Sequence, residues 1–371
     1  MSVLAAIGVL ALLIVVHELG HFLAARLQNI HANRFSIGFG PTLLKYQGSE
    51  TEYAIRAFPL GGYVGFPDDD PDSDIPRDDP NLLSNRPILD RAIVISAGVI
   101  ANLIFAYFLL VGQAFTVGIP VFNAQGIPEF DYQPGVQITQ VTAEDNSPAF
   151  QAGIEPGDVV LAIDGQEFGA SRQAVTSFIE KVQTSPQETL EFQLLRGEEK
   201  LTVGVTPRLD EKNKGKIDIG LAPNGQALKD HPKNLAEGFS LGAKHYQKVV
   251  FLILGGFVQL VGNFGETAKQ VAGPVAIVAM GANIASSNAG SLFEFAALIS
   301  VNLAIINILP LPALDGGQLA LLLVEALRGK PLPSRLQDGI MQTGFLLLMG
   351  LGVFLIVRDT VNLTNLQQLF Q

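Results

Sequence analysis

No cysteine occurs in the 371-residue chain. That absence removes disulfides, thiolate catalysis and cysteine-based metal sites together, and leaves histidines and carboxylates as the strong ligands available. Tryptophan is missing as well, and neither absence selects a host or a redox compartment. Charge is scarce: 16% of residues are Asp, Glu, Lys or Arg, against 48% hydrophobic, and the mean hydropathy is +0.33. So apolar a composition excludes an ordinary soluble protein of this length and points to a membrane protein. With a formal net charge of −11 and no clustered Lys and Arg, nucleic acid is excluded as a partner, because phosphate binding is driven by such clusters.

What is present falls into apolar blocks separated by polar stretches, so spanning segments coexist with at least one water-exposed domain. Met1 to Val16 carry no charged side chain, and the run continues through HELGHFLAA to Arg26, long enough to cross a hydrocarbon layer as a helix. It does not read as a secretory signal peptide, which needs a basic segment ahead of the apolar run; here the first basic side chain is Arg26, at the far end. Further spans are expected at about Ala92–Val117, Phe295–Leu314 and Gly339–Val357, four in all. Arg26 and Arg34 follow the first span, and Arg328, Lys330 and Arg335 sit between the third and fourth, so these loops are expected on the cytoplasmic side and the long central segment on the opposite, periplasmic or lumenal side. Two weaker apolar stretches, Val249–Gly265 and Val271–Ala285, are rich in Gly and Ala and read as interfacial or re-entrant.

Between the first two spans, Thr42–Phe58 shows two alternating runs around a Gly-Ser-Glu turn, the pattern of a β-hairpin. The acidic run PDDDPDSDIPRDDP that follows lacks the central Gly and distal Glu of a calcium-binding EF-hand loop and reads as a solvated loop. From about Gln133 to Pro207, alternating strands separated by Pro-Gly-Asp and Asp-Gly turns, with a helical stretch near Ser171–Gln183, predict a small inserted α+β domain. The residues HPKN at His231–Asn234 mark the return to the membrane. These boundaries give an N-terminal membrane part at 1–120, the inserted domain at 121–210 and a C-terminal membrane part at 211–371.

His17 and His21 lie one helical turn apart on one face, so both imidazoles can reach one metal while Glu18 stands beside them as acid and base: the HExxH arrangement of a zinc site. Two histidines and a glutamate inside an apolar span cost several kcal/mol each unless paired or coordinated, which argues for a metal over a chance polar patch. A catalytic zinc takes three protein ligands and keeps one position open. Asp315 is the only charged side chain between Glu294 and Glu325, and positive-inside counting places it at the same depth as the histidines, so it is the candidate third ligand.

At this point the chain resembles the site-2 protease family of intramembrane metalloproteases, in its bacterial and plastid branch. The resemblance is carried by HELGH at His17–His21, PLGGYV at Pro59–Val64, SAGVIAN ending at Asn102, GPVAI at Gly273–Ile277 and NILPLPALDG at Asn307–Gly316, in the family's order and over nearly the whole chain. It implies a polytopic α-helical membrane protein of about four transmembrane helices, with a membrane-associated β-hairpin and one inserted PDZ domain carrying SPAFQAGIEPGDVVLAIDG. It implies His17, His21 and Asp315 as zinc ligands, Glu18 as general base and Asn307 as a polar group near the scissile peptide. Transmembrane proteins such as anti-sigma factors, or signal-peptide remnants, are the implied substrates within the lipid bilayer. The hairpin would hold substrate by strand addition, and the PDZ domain would bind a substrate tail or chain end near Gln133–Thr139 and act as a size or tail filter. The membrane would be a bacterial plasma membrane or a thylakoid-type membrane. Two features depart from the pattern: Val99 stands where many relatives have Pro, and one PDZ domain is found where the best-studied bacterial members have two. Two other classes stay open: a PDZ-bearing scaffold or pseudo-protease, for which the four site residues would be dispensable, and a membrane-anchored protease of soluble proteins, which would place HExxH outside the apolar run.

Overall fold

The structure, a computed structural model, describes every residue except 1, 71–72, 122, 124–128, 143–146, 211–212, 264, 266–270, 288 and 370–371. The acidic loop read from the sequence therefore lies partly outside the described residues. Two compact units emerge: residues 1–119 with 231–360, and residues 120–230 with 361–371.

In chain order the helices are α1 (Ser2–Leu27), α2 (Ile88–Thr116), α3 (Pro148–Gln151), α4 (Gln173–Gln183), α5 (Leu235–Gly262), α6 (Pro274–Ser287), α7 (Leu292–Ile308), α8 (Asp315–Arg328) and α9 (Ser334–Leu369). The main strands are β1 (Arg34–Gln47), β2 (Glu52–Gly65), β3 (Phe130–Val141), β4 (Val159–Ile163), β5 (Leu190–Arg196), β6 (Glu199–Val205) and β7 (Ile219–Ala227).

Helices of the first unit meet through small residues, as expected where lipid supplies no hydrophobic drive between helices. A Cβ on Gly20 of α1 would sit 2.5 Å from the Ala97 carbonyl oxygen of α2, and one on Gly242 of α5 would sit 2.6 Å from Val111 of α2. Ala106 and Leu110 of α2, Val249 of α5 and Ala297 and Val301 of α7 close a shared apolar core. Among the described residues four helical segments are long and apolar enough to cross a membrane: α1, α2, α5 and residues 335–361 of α9.

Two expectations shift here. The stretch read as a span at Phe295–Leu314 is the 17-residue α7, which stops at Ile308. Leu309 turns extended because proline follows it and disfavours the helical region for its predecessor. Conversely, the stretch Val249–Gly265, read as interfacial or re-entrant, is as far as Gly262 the apolar half of the continuous 28-residue α5. Lys244, His245 and Lys248 in its first half, with the glycines, dilute its hydropathy without breaking the helix.

β1 and β2 are long, bent strands that pair in more than one register. Thr42–Gln47 folds back antiparallel on Glu52–Arg56, the hairpin read from the alternation. Arg34–Ile37 runs parallel to Glu52–Ile55 on one side and antiparallel to Gly62–Gly65 on the other. Phe35, with Ala32 and Phe22, seats this sheet on α1.

The second unit is an antiparallel sheet in the order β7–β3–β4–β5–β6, with the two-residue strand Gln166–Glu167 on β4. Along β5, Leu190, Phe192 and Leu194 alternate inward. Helix α4 covers the sheet with Ala174, Phe178 and Val182, one stripe at helical spacing. Because β7 belongs to this sheet, the unit continues past the sequence-drawn boundary at 210 to Asp230.

Candidate metal centre

Helix α1 brings His17 and His21 onto one face, with their Nε2 atoms 3.2 Å apart. The space for both rings is made by α2. A Cβ on Gly98 would lie 2.3 Å from His21 Nε2 and 2.7 Å from His17 Cε1, so any side chain there would occupy the imidazoles' position.

Asp315 reaches the same point by a different route. After α7 ends, Leu309–Leu314 makes a short reversal in which Ala313 takes a φ of 71°, unusual for a residue with a Cβ. Gly316 and Gly317 let the reversal close: Cβ atoms on them would lie 2.2 Å from the carbonyl oxygens of Ile308 and Leu311. Asp315 then opens α8, where a carboxylate suits the positive end of the helix dipole. Its Oδ2 lies 3.2 Å from His17 Nε2 and 3.5 Å from His21 Nε2.

These donors fit a zinc ion. A tetrahedral site with bonds of about 2.0–2.1 Å has donor–donor edges of roughly 3.3 Å, and the three separations here are 3.2, 3.2 and 3.5 Å. The outer nitrogens decide which lone pairs point inward. His21 Nδ1–H donates to the Val94 carbonyl at 2.8 Å, which leaves its Nε2 unprotonated in the neutral ring. His17 Nδ1 lies 3.3 Å from Asn102 Nδ2, while Oδ1 of this fully buried residue is an acceptor with no partner. A half-turn of the carboxamide exchanges its nitrogen for that oxygen, so that His17 Nδ1–H donates to Oδ1, the orphaned acceptor is satisfied and a bare Nε2 is left facing inward. Asp315 Oδ2 is likewise buried with no hydrogen-bond donor. Three lone pairs facing one another in an apolar bundle call for a cation between them.

The two remaining predicted residues lie alongside. Asn307, in the last turn of α7, holds its Nδ2 3.2 Å from His17 Nε2. Glu18 packs against β2, where a Cβ on Gly62 would lie 2.9 Å from Glu18 Cγ. Sequence reasoning did not assign Val94, Gly98, Asn102 or Ser300, whose hydroxyl donates to the Asn102 carbonyl at 2.8 Å and ties α7 to α2. One signal was available for Asn102: an amide in an apolar span, one helical turn after Gly98.

The family model described as Peptidase family M50 matches residues 5–351. A Nostoc sp. protein whose name designates a zinc metalloprotease is 61% identical, over 100% of both chains. The chloroplastic membrane metalloprotease ARASP of Arabidopsis thaliana is 49% identical over 99% of this chain and 80% of its own. Regulator of sigma-W protease RasP of Bacillus subtilis is 27% identical over 100% of this chain and 99% of its own. Among solved structures, the PDZ domain of an SdrC-like protein from Listeria monocytogenes is 24% identical and covers 24% of this chain and 87% of its own, with a TM-score of 0.21.

Proposed function

The chain belongs to peptidase family M50, the zinc-dependent site-2 protease family, and from that premise we propose that it hydrolyses peptide bonds within or beside the spanning segments of single-span membrane proteins. In this reading His17, His21 and Asp315 hold the zinc and Glu18 is the general base and acid. The observation that carries it is the convergence of the three donor atoms within 3.5 Å inside apolar helices, with the outer nitrogen of His21 committed to a backbone carbonyl.

Zinc, when bound, supplies a Lewis acid that polarises the scissile carbonyl and makes water acidic near neutral pH. Glu18 accepts a proton from the attacking water as its oxygen bonds to the carbonyl carbon. When the carbon–nitrogen bond breaks, the same carboxyl returns that proton to the leaving amine. Asn307 has its amide N–H beside His17, where it can donate to the substrate carbonyl oxygen.

A peptide bond in a membrane helix is shielded by its own hydrogen bonds, so substrate is unwound before attack. The Gly62–Gly65 stretch of β2 pairs with Arg34–Ile37 and packs beside Glu18, which supports strand addition there as the means of holding substrate extended. The second unit is read as a PDZ domain that admits substrate by its tail or chain end. The short basic loops are cytoplasmic, the metal centre lies toward that side, and the second unit lies on the opposite face of a plasma or thylakoid-type membrane. Anti-sigma factors and signal-peptide remnants are the proposed substrates, supported for the former by the relative named for regulating sigma-W.

Purified protein in detergent, a single-span model substrate and a zinc assay test the reading. Glu18→Gln is expected to retain zinc and lose cleavage, and Asp315→Ala to lose both. Normal cleavage by Glu18→Gln, or full zinc occupancy in Asp315→Ala, refutes the corresponding role.

A further inference from the structure

Away from the metal, Arg91 of α2 and Glu325 of α8 form a two-pronged ion pair, with Nη1–Oε1 at 2.8 Å and Nη2–Oε2 at 3.2 Å. The side chains are only 18% and 10% exposed. Withdrawing two charges from water costs several kcal/mol per ion, and a well-packed apolar pair often does as well, so stability alone is a poor reason for such a pair. Fixing the register of one element against another is the better-attested one.

The two helices it joins are those that support the metal ligands. Arg91 lies one turn before Val94, whose carbonyl holds His21 Nδ1. Glu325 lies on the helix that Asp315 begins. The reversal before α8, with two prolines and a positive φ at Ala313, sets the direction in which the helix starts but touches only its first turn. A lateral ion pair from α2 restrains the helix nearly three turns further on, at Glu325. The pair also borders a cavity of about 320 Å³ lined by Phe66, Ile95, Gln318 and Met341, so on that side space rather than packed side chains surrounds it.

We propose that Arg91 and Glu325 are positioning residues that clamp α8 to α2 and thereby set the Asp315 carboxylate against His17 and His21. The inference rests on the metal-ligand reading above. It is tested on the full chain in detergent by zinc affinity in competition with a chelator, and by the rise in melting temperature on adding zinc. Glu325→Gln and Arg91→Gln are expected to weaken zinc binding by roughly 10-fold, the lower end of the range for groups bonded directly to a metal ligand, since neither touches one, and to shrink the zinc-induced rise. The exchange Arg91→Glu with Glu325→Arg is expected to recover most of both. A merely structural pair would lower the melting temperature with and without zinc by the same amount.

Single variants that bind zinc as wild type does overturn the clamp. So does a folded exchange variant that binds no better than either single one. Wild type and His17→Ala provide the reference: equal, negligible zinc binding by both would instead refute the metal-ligand reading on which the clamp rests.

Discussion

Gly98 has no side chain, and the reason lies 2.3 Å from where its Cβ would be: His21 Nε2 occupies that space. Forcing a methyl group into a packed site costs on the order of 1–3 kcal/mol, and here the group that has to move is an imidazole of the proposed ligand set. Gly98→Ala is expected to keep its helix content by circular dichroism while zinc affinity falls at least tenfold; unchanged affinity would show that α2 does not set the imidazole positions. His17, Glu18 and His21 were legible in the sequence because one-turn spacing is a local property of a helix. Asp315 was legible because charge is rare in that part of the chain. The place of Asn102 beside His17 was not, since 85 residues separate them and only the packing of α1 on α2 makes them neighbours.

Among the elements, the second unit offers a clean electrostatic case. Its core draws on its own residues, from Val136 to Leu221. Asp158, in the Pro-Gly-Asp turn and 1% exposed, accepts from Arg196 Nε at 2.7 Å and from the Glu155 N–H at 2.9 Å. Burial pushes its carboxyl up, but the hydrogen bonds from Arg196 and Glu155 outweigh burial and hold it below the usual carboxylate range. A folded-state value below the unfolded one stabilises at pH values above the unfolded value, about 3.9, and that stabilisation is lost as pH falls through the folded value. Residues 120–230 produced alone are expected to lose melting temperature as pH falls below about 4. Asp158→Asn should melt lower at pH 7 and show a shallower acid slope. Equal slopes would remove Asp158 from the account.

The same scale shows where periodicity misled. The hairpin was readable from alternation, whereas the insertion of Arg34–Ile37 between Glu52–Ile55 and Gly62–Gly65 depends on tertiary pairing that leaves no short-range trace. Helix α5 was under-read because its lysines and glycines lower its hydropathy, and α7 was over-extended because the apolar run continues past the residue at which proline ends the helix.

For the whole molecule, the absence of cysteine becomes an experimental asset: a single introduced thiol is unique in the chain. Ser49, at the hairpin turn, and Glu199, on β6, are both exposed. If the short-loop charges set orientation, Ser49→Cys in sealed cells or oriented vesicles is expected to react with an impermeant maleimide only from the cytoplasmic side, and Glu199→Cys only from the other. Labelling of both from one side would overturn the proposed sidedness.

The hydrogen bond from His21 to the Val94 carbonyl has a hereditary consequence. A side-chain partner can be deleted by one codon change; a main-chain carbonyl is present whatever residue is encoded. Position 94 is therefore free to drift among apolar residues that fit its buried setting without disarming the histidine, while Gly98, one turn on, tolerates no such drift. The anchor is robust because it belongs to the polymer rather than to the alphabet written on it.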